Sequence, residues 1–196
     1  MTDQRTGGPG PAPGTVGAAL AAVPRQQPLS LTIQVTSGVG RGPTKLAAFD
    51  AALREAGVHN FNLLCLSSVI PPASEVVDLG GRPAAVEGAW GDKLYVVMAS
   101  ERVEEPGVEA WAGVGWVQQE GTSKGLFVEH EGRSESTVRW ELEASLASMT
   151  AGRPERFGPV HSVVRGVRCQ GEPVCALVVA VYQPEPWRGD DVIDLS

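Results

Sequence analysis

Ten consecutive residues, Phe61-Asn62-Leu63-Leu64-Cys65-Leu66-Ser67-Ser68-Val69-Ile70, carry only three polar side chains, and the run stops at Pro71-Pro72. An apolar run of this length predicts a strand buried on both faces. Two prolines end it, because neither can donate to a ladder. A strand of that kind needs a layer of structure on each side, so the rest of the chain must supply those layers.

The flanking sequence predicts them. Leu29, Leu31, Ile33 and Val35 alternate with Ser30, Thr32, Gln34 and Thr36, the period of a half-buried strand. A glycine-rich turn is expected over Gly38-Val39-Gly40-Arg41-Gly42-Pro43, and then a helix with Thr44 as N-cap and Gly57 as its left-handed stop. Leu46, Phe49, Leu53 and Ala56 would form its buried face. Further strands are expected at 75–79, 93–103, 108–119 and 125–131. Ser134 would cap a second helix that buries Val138, Leu142, Leu146 and Met149, and Gly152 would end it. His161–Cys169 and Val174–Gln183 read as a hairpin around Gln170-Gly171-Glu172-Pro173. Many strands with two separated helices predict an α+β layered sandwich, not a doubly wound parallel sheet. Residues 1–28, dominated by Gly, Pro, Ala and Thr, read as a disordered N-terminal tail. The polar, acidic residues 184–196 read as a flexible C-terminal tail, which leaves one domain over 29–183.

Several function classes are disfavoured by composition. A net charge of −7 on 196 residues argues against a nucleic-acid binder. No apolar run approaches the roughly 20 residues of a membrane span, and Gly17–Val23 is too short and broken for a signal peptide. Cys65, Cys169 and Cys175 show no Cys-x-x-Cys spacing, which fits a reducing cytoplasm better than a disulfide framework. His130 and His161 lack metal-ligand spacing, so no metal is expected. Strand, Gly38-x-Gly40-x-Gly42, then helix is also the outline of a phosphate cradle. However, Pro43-Thr44-Lys45 lacks the Gly-Lys-Ser/Thr order of a nucleotide loop.

Four positions can carry chemistry. Ser67-Ser68 is either a pair of polar residues at a strand end or a site where the Ser68 hydroxyl attacks the Ser67 carbonyl. The second requires a strained, well-aimed peptide. Asn62 is a side-chain amide inside an apolar run, satisfied by backbone unless it faces a site. Asp50 is a solvated helix residue unless something cationic meets it. Glu129 shares a strand face with Phe127. If that face looks into a site with little water, desolvation favours a carboxyl that keeps its proton, as a general acid must. Otherwise Glu129 is an exposed strand residue.

Ala47-Ala48-Phe49-Asp50-Ala51-Ala52-Leu53, Ala56-Gly57-Val58-His59-Asn60-Phe61-Asn62-Leu63, Leu66-Ser67-Ser68-Val69-Ile70-Pro71-Pro72 and Gly125-Leu126-Phe127-Val128-Glu129 occur in this order. Together they closely resemble the pyruvoyl-dependent arginine decarboxylases over about residues 29–183. The resemblance implies a four-layer αββα sandwich of mostly antiparallel sheets and a homotrimer, or a dimer of trimers, with sites between neighbours. It implies self-cleavage between Ser67 and Ser68 into 1–67 and 68–196, with Ser68 becoming a built-in pyruvoyl group, so that neither pyridoxal phosphate nor metal is needed. The expected reaction converts L-arginine to agmatine and carbon dioxide through an imine with that group. Asn62 would donate to the oxyanion at the Ser67 carbonyl. Asp50 would hold the guanidinium, with Leu46 along the aliphatic stem and Ser67 also lining the substrate. Glu129 would protonate the α-carbon. His59 departs from the glycine of many relatives beside the pocket, which leaves open a pyruvoyl-dependent decarboxylase of another amino acid; a non-catalytic relative that binds a ligand or partner through the same fold is a separate alternative.

Overall fold

The structure is a computed structural model and describes residues 30–187. The expected N-terminal tail lies outside the described residues, as does the C-terminal tail beyond Trp187.

The chain runs β1 (Thr32–Arg41), α1 (Lys45–Ala56), β2 (Asn62–Cys65), β3 (Val69–Ile70), β4 (Glu75–Asp78) and β5 (Lys93–Val103). It continues through β6 (Glu109–Gln118), β7 (Gly125–Gly132), α2 (Glu135–Ala151), β8 (His161–Arg168) and β9 (Val174–Glu185). One five-stranded sheet has the order β2-β5-β9-β1-β4, and a four-stranded sheet has the order β3-β7-β6-β8. The first is mixed, with β1–β4 and β2–β5 parallel, and the second is antiparallel throughout. Helix α1 packs on β1, β9 and β5, and α2 packs on β7, β6 and β8.

Three apolar clusters mark the interfaces between the resulting layers. Ile33, Val35, Val97, Val114, Phe127 and Val178 meet between the sheets. Ala48, Ala52, Leu94, Leu177 and Val179 lie under α1, and Leu126, Val128, Val138, Leu142 and Leu146 lie under α2. The protein is therefore an α+β sandwich of four layers, helix–sheet–sheet–helix, as expected. Strand β9 is central, and both of its faces are buried from Val174 to Tyr182.

Helix α1 starts and stops where its sequence says. The Thr44 hydroxyl accepts from the Ala47 amide at 3.1 Å, and Gly57 closes the helix with φ of 81°. Its buried face differs from the expected one: Ala48, Ala52 and Ala56 are buried, and Leu46 is 70% exposed. The reason lies in the strand beneath. The expected glycine turn does not form, because β1 continues through Arg41. Gly38, Gly40 and Gly42 alternate along the helix-facing side, where a Cβ would overlap the Ala52 carbonyl, the Ala48 carbonyl and the Ala47 side chain respectively. Glycine on the strand and alanine on the helix allow a close approach that larger residues would block. That approach also removes the phosphate-cradle reading, since these glycines are covered by a helix. Gly40→Ala is expected to lower stability by about 1–3 kcal/mol or more through overpacking, read as a shifted denaturant midpoint.

Other expectations are corrected as well. The 61–70 run is not one buried strand. β2 is an edge strand of the first sheet, β3 belongs to the second, and Leu64 and Val69 are 40% and 59% exposed. His161–Arg168 and Val174–Glu185 are not a hairpin either. β8 pairs with β6 and β9 with β1 and β5, so the turn at 170–173 carries the chain from one sheet to the other. Met149 on α2 is 39% exposed, and the buried stripe of that helix is Val138, Leu142 and Leu146. Strand β9 also runs two residues beyond Gln183.

Candidate active site

The Ser67–Ser68 peptide lies where the chain leaves one sheet for the other. On its N-terminal side the Leu66 amide donates to the Val96 carbonyl of β5 at 2.8 Å. On its C-terminal side Val69 and Ile70 pair with Leu126 and Gly125 of β7. The crossover is therefore anchored at both ends. Ser68 itself has φ of 66°. A left-handed backbone on a residue with a Cβ costs roughly 1–2 kcal/mol, so the surrounding contacts must hold it there.

Those contacts are specific. The Ser68 carbonyl accepts from the Phe127 amide at 2.8 Å. The Ser68 hydroxyl lies 3.0 and 2.8 Å from the two carboxylate oxygens of Glu129, to which it donates. Phe127 and Glu129 occupy alternate positions on one face of β7. Phe127 is buried between the sheets, and Glu129, two residues on, clears the core and reaches the serine. The face is the expected one, but the surroundings are not: Glu129 is exposed on the protomer, not enclosed.

Tyr182 on β9 completes this side, its hydroxyl donating to the Val69 carbonyl at 3.0 Å. Burial, and then the nearby Glu129 carboxylate, hold its phenol above the ordinary value, so it remains a donor. Sequence reasoning alone misses Tyr182, whose signal is a single hydroxyl at the end of an apolar strand. Glu131, next along the same face of β7, has its carboxyl raised by desolvation and then by Glu101 across the sheets. Beside the crossover is a cavity of about 560 Å³, lined by Leu66 on one side of the Ser67–Ser68 bond and Pro71 and Pro72 on the other, with Tyr95 and Tyr182.

Ser67, Ser68 and Glu129 are thus brought together, and the other expected site residues are not. Asn62 stands at the opposite end of β2, three strand steps or about 10 Å from Cys65 alone. Its side-chain amide donates to the Gly91 carbonyl. Asp50 is on the exposed side of α1, paired with Arg54 one turn on. Leu46 is exposed one turn before it, and its expected default of core packing is not met. His59 is exposed in the turn after α1. His130 lies 2.8 Å from the Ser145 hydroxyl, and His161 stacks on Trp116. Among the described residues no cluster of His, Cys, Asp and Glu could hold a metal, and no helix is long and apolar enough to cross a membrane.

Fold and site together define an αββα sandwich whose strained serine, at the crossing between its sheets, is held by a carboxylate. A sequence-family model described as "Pyruvoyl-dependent arginine decarboxylase (PvlArgDC)" matches residues 32–186. The chain belongs to the pyruvoyl-dependent arginine decarboxylase family. It is 36% identical over 154 residues to a pyruvoyl-dependent arginine decarboxylase of Halobacterium salinarum, covering 76% of this chain and 92% of that one. A protein of the same description from Methanocaldococcus jannaschii is 34% identical over 131 residues, covering 57% of this chain and 74% of that one. A solved structure of a pyruvoyl-dependent histidine decarboxylase at pH 8 aligns with a TM-score of 0.39 at 14% identity, over 72% of this chain and 62% of that one.

Proposed function

We propose that this chain cleaves itself between Ser67 and Ser68 and then decarboxylates L-arginine to agmatine. The observation that carries the reading is the Ser68 hydroxyl donating to both oxygens of Glu129 while its own backbone is held left-handed. Glu129 is placed to take the hydroxyl proton as the oxygen attacks the Ser67 carbonyl carbon. The peptide C–N bond breaks, an ester forms, and the proton passes to the Ser68 nitrogen. Elimination across Cα–Cβ breaks the Cβ–Oγ bond, releasing the Ser67 carboxylate and leaving dehydroalanine at 68. Water then displaces ammonia from that residue. The resulting pyruvoyl group supplies a ketone conjugated to an amide, an electron sink for the carboxylate that leaves as carbon dioxide. Decarboxylation takes up one proton for each carbon dioxide, and Glu129 is placed to hold it for the substrate α-carbon.

The protomer holds only part of this machinery. The side chains of Asn62 and Asp50 bond to Gly91 and Arg54, not to the Ser68 crossover, and Leu46, Leu64 and Val69 are apolar side chains open to solvent. Both features support a homotrimer, or a dimer of trimers, in which a neighbour completes each site. Asp50 is held by an exposed i,i+4 pair with Arg54, the kind of pair worth at most about 1 kcal/mol. A substrate guanidinium can therefore replace the Arg54 guanidinium in the same planar geometry.

Intact mass and denaturing electrophoresis of the purified protein test the reading. Two fragments, 1–67 and one that starts at a blocked residue 68, are expected, together with carbon dioxide release from arginine in preference to other amino acids. A chain that stays whole and still decarboxylates arginine would refute it. Asp50→Asn is expected to cleave normally and lose at least tenfold in kcat/KM for arginine, the worth of a charged hydrogen bond of about 1.5–3 kcal/mol. Unchanged arginine kinetics would remove Asp50 from the guanidinium site.

A further inference from the structure

Asn62 is not held by its own strand. Its side-chain amide donates to the Gly91 carbonyl, and the same oxygen accepts the indole N–H of Trp187 at 2.9 Å. Trp187 comes from beyond the end of β9 and lies one residue past the stretch that matches the family model. Its ring is fixed from the other side. The Lys93 ammonium sits 4.4 Å from the ring centroid, and Lys93 in turn lies 3.5 Å from the Glu185 carboxylate, which also accepts from the Tyr95 hydroxyl. The Asn62 amide N–H donates to the Asp92 carbonyl at 2.8 Å, so main chain and side chain are both tied to the loop at 91–92.

We infer that Trp187 is a positioning residue for Asn62. Gly91 is the shared acceptor through which the C-terminal segment sets the orientation of the Asn62 amide. The amide has two N–H groups. With one committed to Gly91, the other has a fixed direction, as a preorganised oxyanion donor requires. Without the indole, the 91–92 loop loses a lateral tie and the amide gains freedom to rotate. The inference rests on the reading of Asn62 as the donor to the Ser67 oxyanion, a contact that the proposed neighbouring protomer would complete.

A double-mutant cycle on the full chain tests it. Trp187→Phe keeps an aromatic ring over Lys93 but removes the N–H. Trp187 is 54% exposed, so the change leaves the packed core alone, and a melting curve run alongside checks this. The rate of Ser67–Ser68 cleavage is followed by electrophoresis after cell-free synthesis. Trp187→Phe is expected to cleave about 3–10-fold more slowly than wild type, the effect of one neutral hydrogen bond. Asn62→Ala should be slower still, and the double variant no slower than Asn62→Ala alone. A purely structural tryptophan would instead give losses that multiply, and that result, or wild-type cleavage by Trp187→Phe, overturns the inference. Wild-type cleavage, read by intact mass, separately decides the underlying reading. Normal cleavage by Asn62→Ala in a processed wild-type background removes the Asn62 role, and this inference with it, while leaving the pyruvoyl chemistry intact.

Discussion

Ser68→Ala is expected to remain a single chain of full length and to release no carbon dioxide from arginine. The loss should be complete, because in the proposed chemistry one atom serves as both the nucleophile of self-cleavage and the oxygen that is later eliminated. Alanine at 68 keeps the Cβ and accepts the same left-handed backbone, and the Phe127 amide still has the residue 68 carbonyl to donate to. The fold should therefore survive, and a melting curve close to wild type would separate lost chemistry from lost structure. Ser67→Ala is the matched comparison. The proposed cleavage requires only the main-chain carbonyl of residue 67, so this variant should still split into two fragments. If Ser68→Ala cleaves, or Ser67→Ala does not, the assignment of nucleophile and electrophile within the pair is wrong.

Much of this arrangement is legible in the sequence, and the exceptions share a physical cause. Helix α1 was bounded correctly because Thr44 and Gly57 act locally, through one side-chain oxygen and one left-handed backbone. Strand β5 was placed at its observed limits by its own residues. The errors arose where the partner of an element decides its form. The spacing Gly38-x-Gly40-x-Gly42 suits a turn, but it is also the period of a strand face, and only the alanines at 48 and 52 on the covering helix distinguish the two. That pairing was present in the sequence as small residues at strand period followed by small residues at helix period. The 61–70 run looked like one strand because apolar content does not say which sheet a residue joins. Its break falls at Ser67-Ser68, the proposed site, where a strained serine interrupts the ladder. The site divides in the same way. Ser68 and Glu129 meet within the protomer, whereas Asn62, Asp50 and Leu46 were tied to them by family resemblance alone, and no local pattern gives their distance from Ser68.

Glu129→Gln is the second large effect expected, and it follows from the same hydrogen bonds. The carboxylate accepts from the Ser68 hydroxyl through both oxygens. A glutamine of the same shape can accept through one oxygen but has negligible basicity, and it has no proton to give at the substrate α-carbon. Two separable losses are therefore expected. Cleavage at Ser67–Ser68 should slow, because the hydroxyl loses the group placed to take its proton, but it should not stop, since water reaches this exposed position. The cleaved fraction should then turn over arginine at least about a hundredfold more slowly, the usual worth of a positioned general acid. Rates must be expressed per cleaved site, from quantified fragments, so that slow processing is not mistaken for slow catalysis. Glu129→Asp keeps the carboxyl but shortens its reach by one methylene, and it should recover part of both rates if proton transfer is the function lost. Tyr182 is the control for geometry alone. Its hydroxyl fixes Val69 from the other side at 3.0 Å, so Tyr182→Phe should loosen the crossover without removing the acid. Near-normal turnover by fully cleaved Glu129→Gln would move the proton donor to another group. Equal losses in Glu129→Gln and Tyr182→Phe would reduce Glu129 to a clamp on the crossover.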